Sequence, residues 1–296
     1  MIPPIIIFGK SLWMYQILSI AGIFAAGIYT CQICKKSNHD DNEAIVFLLI
    51  IAAGGLAGSH ILYALVSCRE IVYLFNTVPR HSFFDFFKII LFVFSGHIFY
   101  GGLLGGILTA NIYILKKPHL AYLIDIVTPA FALFHFFGRI GCFFGGCCYG
   151  IESTFGFTAR YSLLAEANGV RRFPVQLLEA LFIIVLFFIL NDLRKKRSGN
   201  LPGKVRQAAR SLSGNVRKDT GKLTEVFENS HIFNNRLLQI YLLVYSAGRF
   251  FLEFLRDDAH RGFFLGISTS QIISILIFFC TAVFFVFLSG RKRAVM

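Results

Sequence analysis

The order of apolar and polar positions is dominated by long, uninterrupted apolar runs. Seven of them, each about 20 residues and poor in charge, have the length at which a helix crosses the hydrocarbon core of a bilayer. They are Leu12–Cys34, Ala44–Cys68, Ile89–Leu115, Leu120–Ile140, Val175–Leu190, Leu237–Leu255 and Leu265–Leu288. The pattern predicts an all-α, polytopic membrane protein: one seven-span domain over residues 1–296, with small loops. The third run is long and rich in glycine, so part of it is expected to bend or to lie at the interface. Small residues recur at Gly54, Gly55 and Gly58 and at Gly101, Gly102, Gly105 and Gly106, where they let membrane helices approach closely. Met1–Lys10 lacks the basic region of a cleavable leader, and the residues near Gly27 and Tyr29 lack a cleavage pattern.

Composition agrees with this pattern. The 296 residues are 56% hydrophobic and 15% charged, with 35 Phe, against about 25% charged residues in soluble domains. A net charge of +13 would suit nucleic acid, but its distribution points elsewhere. Lys35, Lys36, Lys116, Lys117, Arg194–Arg197, the 200–236 segment and Arg291–Arg293 fall in alternate loops. That side holds about 18 of the 29 Lys and Arg, which by the positive-inside rule makes it cytoplasmic. The N-terminus is then outside, the C-terminus inside, and the basic excess serves topology and contact with anionic lipid. No nucleic-acid partner is expected.

The loops carry separate expectations. Residues 198–236 form a basic cytoplasmic loop in which Val205, Ala209, Leu212 and Val216 recur at helical spacing. This suits an amphipathic helix on the inner leaflet or a disordered basic loop. Residues 143–173 form an extracytoplasmic loop or head, with further outer loops at 69–88 and 256–266.

Charges within the apolar runs mark candidate chemistry, because a buried charge in a membrane is costly. Arg139 ends the fourth run, and Glu179 lies near the outer end of the fifth. Arg249 and Glu253 lie four residues apart in the sixth, on one helix face. Asp125 begins the fourth run, nearer the cytoplasm. Internal salt bridges tying helices together are one reading of this set. The other is anion binding: two guanidiniums at one depth repel, a phosphate relieves them, and Arg matches phosphate bidentately. Beside a glycine-rich helix they suggest a phospholipid headgroup pocket.

The segment Gly138–Gly150, GRIGCFFGGCCYG, resembles the signature of prolipoprotein diacylglyceryl transferases, G-R-x-G-N-F with a later glycine. Other blocks match in order. Phe99–Gly106, FYGGLLGG, is similar to the family's H/Y-G-G-L-x-G, and Asp125 with Pro129 to its D-x-x-x-P. Phe173–Glu179, FPVQLLE, is similar to H-P-x-Q-L-Y-E, and Gly248–Phe254, GRFFLEF, to G-R-F-x-x-E-F. Gly54–Tyr63 resembles G-G-x-x-G-x-R-x-x-Y.

The resemblance implies transfer of diacylglycerol from phosphatidylglycerol to the lipobox cysteine of a prolipoprotein, the first step of lipoprotein maturation. A thioether forms and glycerol phosphate leaves. It implies a multi-pass protein of a bacterial plasma membrane, with its site facing the outer leaflet. Membrane lipid, phosphatidylglycerol and lipobox peptides would be the partners, with no cofactor and no metal. Arg139, Arg249, Tyr100 and Glu253 are the implied catalytic residues. Tyr15, Gly101, Gly102, Cys142, Gly150, Gln176 and Glu179 join both arginines in substrate binding. The residues fit this chemistry independently: positive charge aimed at the departing phosphate lowers the barrier and helps ionise a thiol of ordinary pKa near 8.5. Glu179 and Glu253 would orient the arginines.

The sequence also departs from the pattern. Tyr100 stands where many members carry His, and a phenol with pKa near 10 is the poorer base; His97 is an alternative. Cys142 replaces the signature Asn, a weak hydrogen-bonder for a strong one. Gly145, Cys147 and Cys148 replace polar positions, and His60 replaces an Arg. Of the seven cysteines, Cys142, Cys147 and Cys148 cluster at the outer face. A disulfide is chemically possible there, but small buried residues are the simpler use. Cys31 and Cys34 form an isolated C-x-x-C. Rival readings are a divergent relative with another donor or acceptor, a thiol–disulfide membrane protein, and a transporter.

Overall fold

The computed structural model describes residues 3–7, 10–77, 87, 96–162, 164, 167–199, 235–257, 263–264 and 266–294. Its helices are α1 (Met14–Lys36), α2 (Asp41–Val66), α3 (Cys68–Thr77), α4 (Phe99–Lys116), α5 (Tyr122–Gly145), α6 (Val175–Gly199), α7 (Arg236–Leu252) and α8 (Thr269–Ala294). Among the described residues, six are long and apolar enough to cross a membrane: α1, α2, α5, α6, α7 with the turn after it, and α8. The third expected span is the 18-residue α4; residues 89–95 of that run lie outside the described residues, as do 200–234, where the amphipathic helix was expected. The protein is an all-α polytopic membrane protein, with three short antiparallel strand pairs at helix ends.

The described residues fall into two compact units. One comprises the described residues between 40 and 123. Within it α2 and α4 meet along the glycines that the sequence singled out. A methyl group at Gly58 would overlap the Gly101 carbonyl, and one at Gly105 the Gly54 carbonyl. Gly101 and Gly102 both face α2, the latter against Ser59. Backbones at this range gain dispersion contacts that any larger side chain would forbid. Asp40 caps α2 by accepting from the Asn42 amide at 2.9 Å. Tyr100 is buried in the first turn of α4. The His60 and His97 rings lie 4.4 Å apart, and His60 Nδ1 bonds the Gly96 carbonyl at 3.1 Å.

The other unit comprises the described residues between 3 and 39, 124 and 199, and 235 and 294. Helix α1 packs on α5 where Gly22 admits Phe137, and α7 packs on both α6 and α8. The buried residues of α7 include Leu237, Tyr241, Tyr245 and Arg249, four apart and therefore one stripe of the helix. Asn235 caps α7 by accepting from the Leu237 and Leu238 amides, and it donates to Asp125 at 2.6 Å. Arg197 also pairs with Asp125 at 2.9 Å. Asp125 thus fastens the first turn of α5 to the end of α6 and the start of α7. It lies about 21 Å along the helix from Arg139, at 1.5 Å per residue.

Beyond α5 the chain forms the antiparallel pair β3 (Glu152–Thr158) and β4 (Arg171–Arg172) within the expected 143–173 head. Arg172 pairs with Asp257 at 2.7 Å and stacks over Tyr149 at 4.2 Å. This ties the head to the segment after α7.

Candidate active site

Helices α5, α6 and α7 bring Arg139, Glu179 and Tyr245 to one point. Arg139 Nη2 lies 3.0 Å from Glu179 Oε1. The Tyr245 hydroxyl donates to the same oxygen at 3.1 Å and accepts from Arg139 Nη2 at 3.4 Å. Glu179 is 1% exposed and Arg249 3%, so these charges are held away from water. One turn beyond Arg249, Glu253 Oε2 takes its guanidinium in an ion pair. Arg256 Nε approaches the same carboxylate oxygen at 4.0 Å.

Glu253 is itself anchored from α8. Ser268 and Gln271 form a capping box: Ser268 Oγ accepts from the Gln271 amide at 3.2 Å, and Gln271 Oε1 from the Ser268 amide at 3.0 Å. The Ser268 hydroxyl donates to Glu253 Oε1 at 2.9 Å. A helix start on α8 thereby fixes a carboxylate on the turn after α7.

Six residues of this network were not singled out in the sequence: His135, Tyr241, Tyr245, Arg256, Ser268 and Gln271. His135 Nε2 accepts from Arg139 Nε at 3.3 Å, and His135 Nδ1 bonds the Tyr241 hydroxyl at 2.9 Å. The geometry requires a neutral ring with its proton on Nδ1, donated to Tyr241. His135 precedes Arg139 by four residues, and Tyr241, Tyr245, Arg249 and Glu253 follow one another at the same interval. That shared helical stripe was the signal available. Arg256, read as a loop residue, is the third guanidinium of the group, its side chain 2% exposed.

The charges do not cancel. Arg139, Arg249 and Arg256 face Glu179 and Glu253, leaving one positive charge in excess. Among the described residues, Arg249 Nη1 is buried without a hydrogen-bond partner. An unsatisfied buried N–H costs about 1–3 kcal/mol, more when charged. The arrangement therefore suits an anion whose oxygen would take that donor.

The remaining expected residues take varied places. Gln176 is buried and donates to the Cys147 carbonyl at 2.9 Å. Gly150 sits where a side chain would overlap the Phe173 and Leu255 carbonyls. Arg172 donates to the Gly150 carbonyl at 3.3 Å. Tyr15 lies against Gly141. Tyr100, Gly101 and Gly102 belong to the other unit.

Cys142, on the last turns of α5, is buried. Its sulfur and those of Cys147 and Cys148 all lie within 4.8 Å of one another, and none of the seven cysteines forms a disulfide. The turn that folds Cys147 and Cys148 back uses a left-handed Gly146 (φ 69°), whose added side chain would strike Ser162. Cys148 is also left-handed (φ 58°), a conformation L residues other than Asn and Asp seldom take. Hydrogen bonds from Cys142 and Cys147 hold the Cys148 thiol below its usual range, helped by the charges of Arg256 and Arg139.

Comparison with known proteins places this geometry. The family model for prolipoprotein diacylglyceryl transferase matches residues 4–215 and 222–287. A Clostridium perfringens phosphatidylglycerol–prolipoprotein diacylglyceryl transferase 2 is 30% identical over 275 residues, covering 92% of this chain and 89% of the relative. A Clostridium tetani phosphatidylglycerol–prolipoprotein diacylglyceryl transferase is 28% identical, covering 91% and 90%. One from Campylobacter curvus is 27% identical, covering 92% and 88%. On these matches, and on five sequence blocks carried in order, the chain belongs to the prolipoprotein diacylglyceryl transferase family.

Proposed function

We propose that the protein transfers a diacylglyceryl group from phosphatidylglycerol to the lipobox cysteine of prolipoproteins, at the outer leaflet of a bacterial plasma membrane. Family membership supports the reaction. The observation that carries the site is the buried, unpartnered Nη1 of Arg249 in a group with one positive charge in excess.

In this reading the headgroup phosphate lies against Arg249 and Arg139. The lipobox sulfur attacks the glyceryl carbon bearing the phosphate. A carbon–sulfur bond forms, the carbon–oxygen bond breaks, and glycerol phosphate leaves with the bonding pair. Negative charge grows on the departing oxygen, where fixed guanidiniums act most strongly because they need no reorganisation. Glu179, Tyr245 and His135 hold Arg139, while Glu253 holds Arg249. By the family resemblance, Tyr100 is the candidate for the thiol proton, with His97 as the alternative, and Gly101 and Gly102 are candidates for substrate binding. Gln176, Gly150, Tyr15 and Cys142 are assigned to the pocket at Arg139 and Arg249. The distribution of Lys and Arg supports the outward orientation.

The test is direct. Purified protein is incubated with phosphatidylglycerol and a synthetic lipobox peptide. A peptide carrying a diacylglyceryl thioether by mass, with stoichiometric glycerol phosphate, is expected. Transfer from phosphatidylethanolamine at the same rate would overturn the donor assignment, and absence of product with either lipid would overturn the reaction.

A further inference from the structure

In the transfer reaction argued above, Cys147 and Cys148 have no part and Cys142 only lines the pocket, so no thiol of the cluster at the end of α5 has a chemical role there. We propose that Cys142, Cys147 and Cys148 form a three-thiolate binding site for a soft metal cation of the Cu(I) or Zn(II) class. The inference does not rest on the transferase reading.

The donor set carries it. Three sulfurs converge within 4.8 Å of one another. A zinc–sulfur bond of about 2.3 Å places tetrahedral ligands about 3.8 Å apart, so closure onto an ion asks for a contraction of about 1 Å or less. Thiolates alone, with no carboxylate or imidazole among them, select soft cations over Mg, Ca or Mn. Cys142 comes from a helix and the other two from the turn after it. The turn reaches this position through two left-handed residues, Gly146 and Cys148. Small buried residues filling space would not require that backbone.

The surroundings suit an anionic cage. Arg139 and Arg256 both act on Cys148 electrostatically, and Arg139 on Cys142. Three thiolates around Zn(II) carry one net negative charge, which matches the one positive charge that Arg139, Arg249 and Arg256 hold in excess of Glu179 and Glu253; around Cu(I) they carry two, of which the same excess offsets one. The Gln176 amide clamps the Cys147 carbonyl at 2.9 Å, restraining the turn that presents two ligands; such supporting bonds tune metal sites. In the family pattern, Asn and polar residues stand where this chain has the cysteines, so that pattern does not account for the cluster.

The test uses the full chain in detergent micelles, stripped of metal and kept reduced. It is titrated with Zn(II) and, separately and anaerobically, with Cu(I), each against a chromophoric chelator. One equivalent of at least one cation is expected in the unaltered chain and none in a variant with all three cysteines changed to Ser. Because that variant can misfold, alkylation of the unaltered chain is followed by mass spectrometry in parallel. Added cation should make Cys142, Cys147 and Cys148 resistant together, while Cys68, exposed beyond the end of α2, stays reactive. The proposal fails if neither cation binds beyond the triple variant, or if protection falls on Cys31 and Cys34 instead. It fails equally if two of the three thiols prove to be joined in a disulfide that excludes metal.

Discussion

Arg249 and Glu253, one helical turn apart, form a buried ion pair that still leaves Arg249 Nη1 without a partner. An ion pair made only to tie helices together would gain by satisfying every donor. This one keeps a donor in reserve where positive charge exceeds negative.

Arg249→Ala should lower transfer by at least about 100-fold, the scale of losing one strong transition-state donor. Arg249→Lys should recover little, since an ammonium has no planar fork for two phosphate oxygens. Steady-state rates with a lipobox peptide decide it. A near-normal Lys variant would reduce Arg249 to a simple charge.

Glu179→Ala leaves the Arg139 guanidinium buried without its carboxylate, an uncompensated charge that costs about 3–5 kcal/mol. The variant should show a sharply lowered thermal midpoint in detergent. Glu179→Gln keeps an oxygen for Arg139 and for Tyr245 and should fall between the two. Equal midpoints for Ala and wild type would show that the pair contributes nothing to the fold.

Tyr245→Phe removes the hydroxyl shared by Arg139 and Glu179. His135→Leu removes the acceptor that fixes Arg139 Nε. Each should slow turnover about tenfold, close to one hydrogen bond's worth of positioning. KM should change little, because the guanidinium remains present but less well aimed. A rise in KM with unchanged kcat would assign these residues to binding instead.

Gly58→Leu should destabilise the α2–α4 pair more than Gly106→Leu. At Gly58 any side chain meets backbone of Gly101 and Gly105, whereas at Gly106 the nearest neighbour is an Ile51 methyl at 3.3 Å that can rotate. Overpacking of this kind costs about 1–3 kcal/mol. Thermal midpoints of the purified variants provide the comparison, and reversal of the order would contradict it.

The alternation of basic loops predicts sidedness. A cysteine placed at the exposed Glu152 should react with a membrane-impermeant thiol reagent in intact cells. One placed at Ser211 should react only after lysis. Outside labelling at Ser211 would invert the orientation and with it the leaflet assigned to the site.

The sequence by itself determined the helices and the charges that matter. Runs of Leu, Ile, Val and Phe long enough to cross a bilayer mark spans on local grounds, because in lipid each span must satisfy its own backbone. Arg139, Glu179, Arg249 and Glu253 stood out for the same reason, as charges where charge is costly. The Gly54–Gly58 and Gly101–Gly106 contact was legible because close helix approach needs small residues, whichever partner they meet.

Only the tertiary structure decided which groups share an oxygen or a site. That Tyr245 and Arg139 meet at Glu179, that Ser268 reaches Glu253, and that His135 orients Arg139 through a ring shared with Tyr241 depend on α5, α6, α7 and α8 packing together. The three thiols were visible as neighbours in the chain, but their convergence needed the left-handed turn at Gly146 and Cys148. Local pattern reports the cost of placing a residue in lipid or in a helix. Distance between residues far apart in the chain is set by packing, which that pattern does not encode.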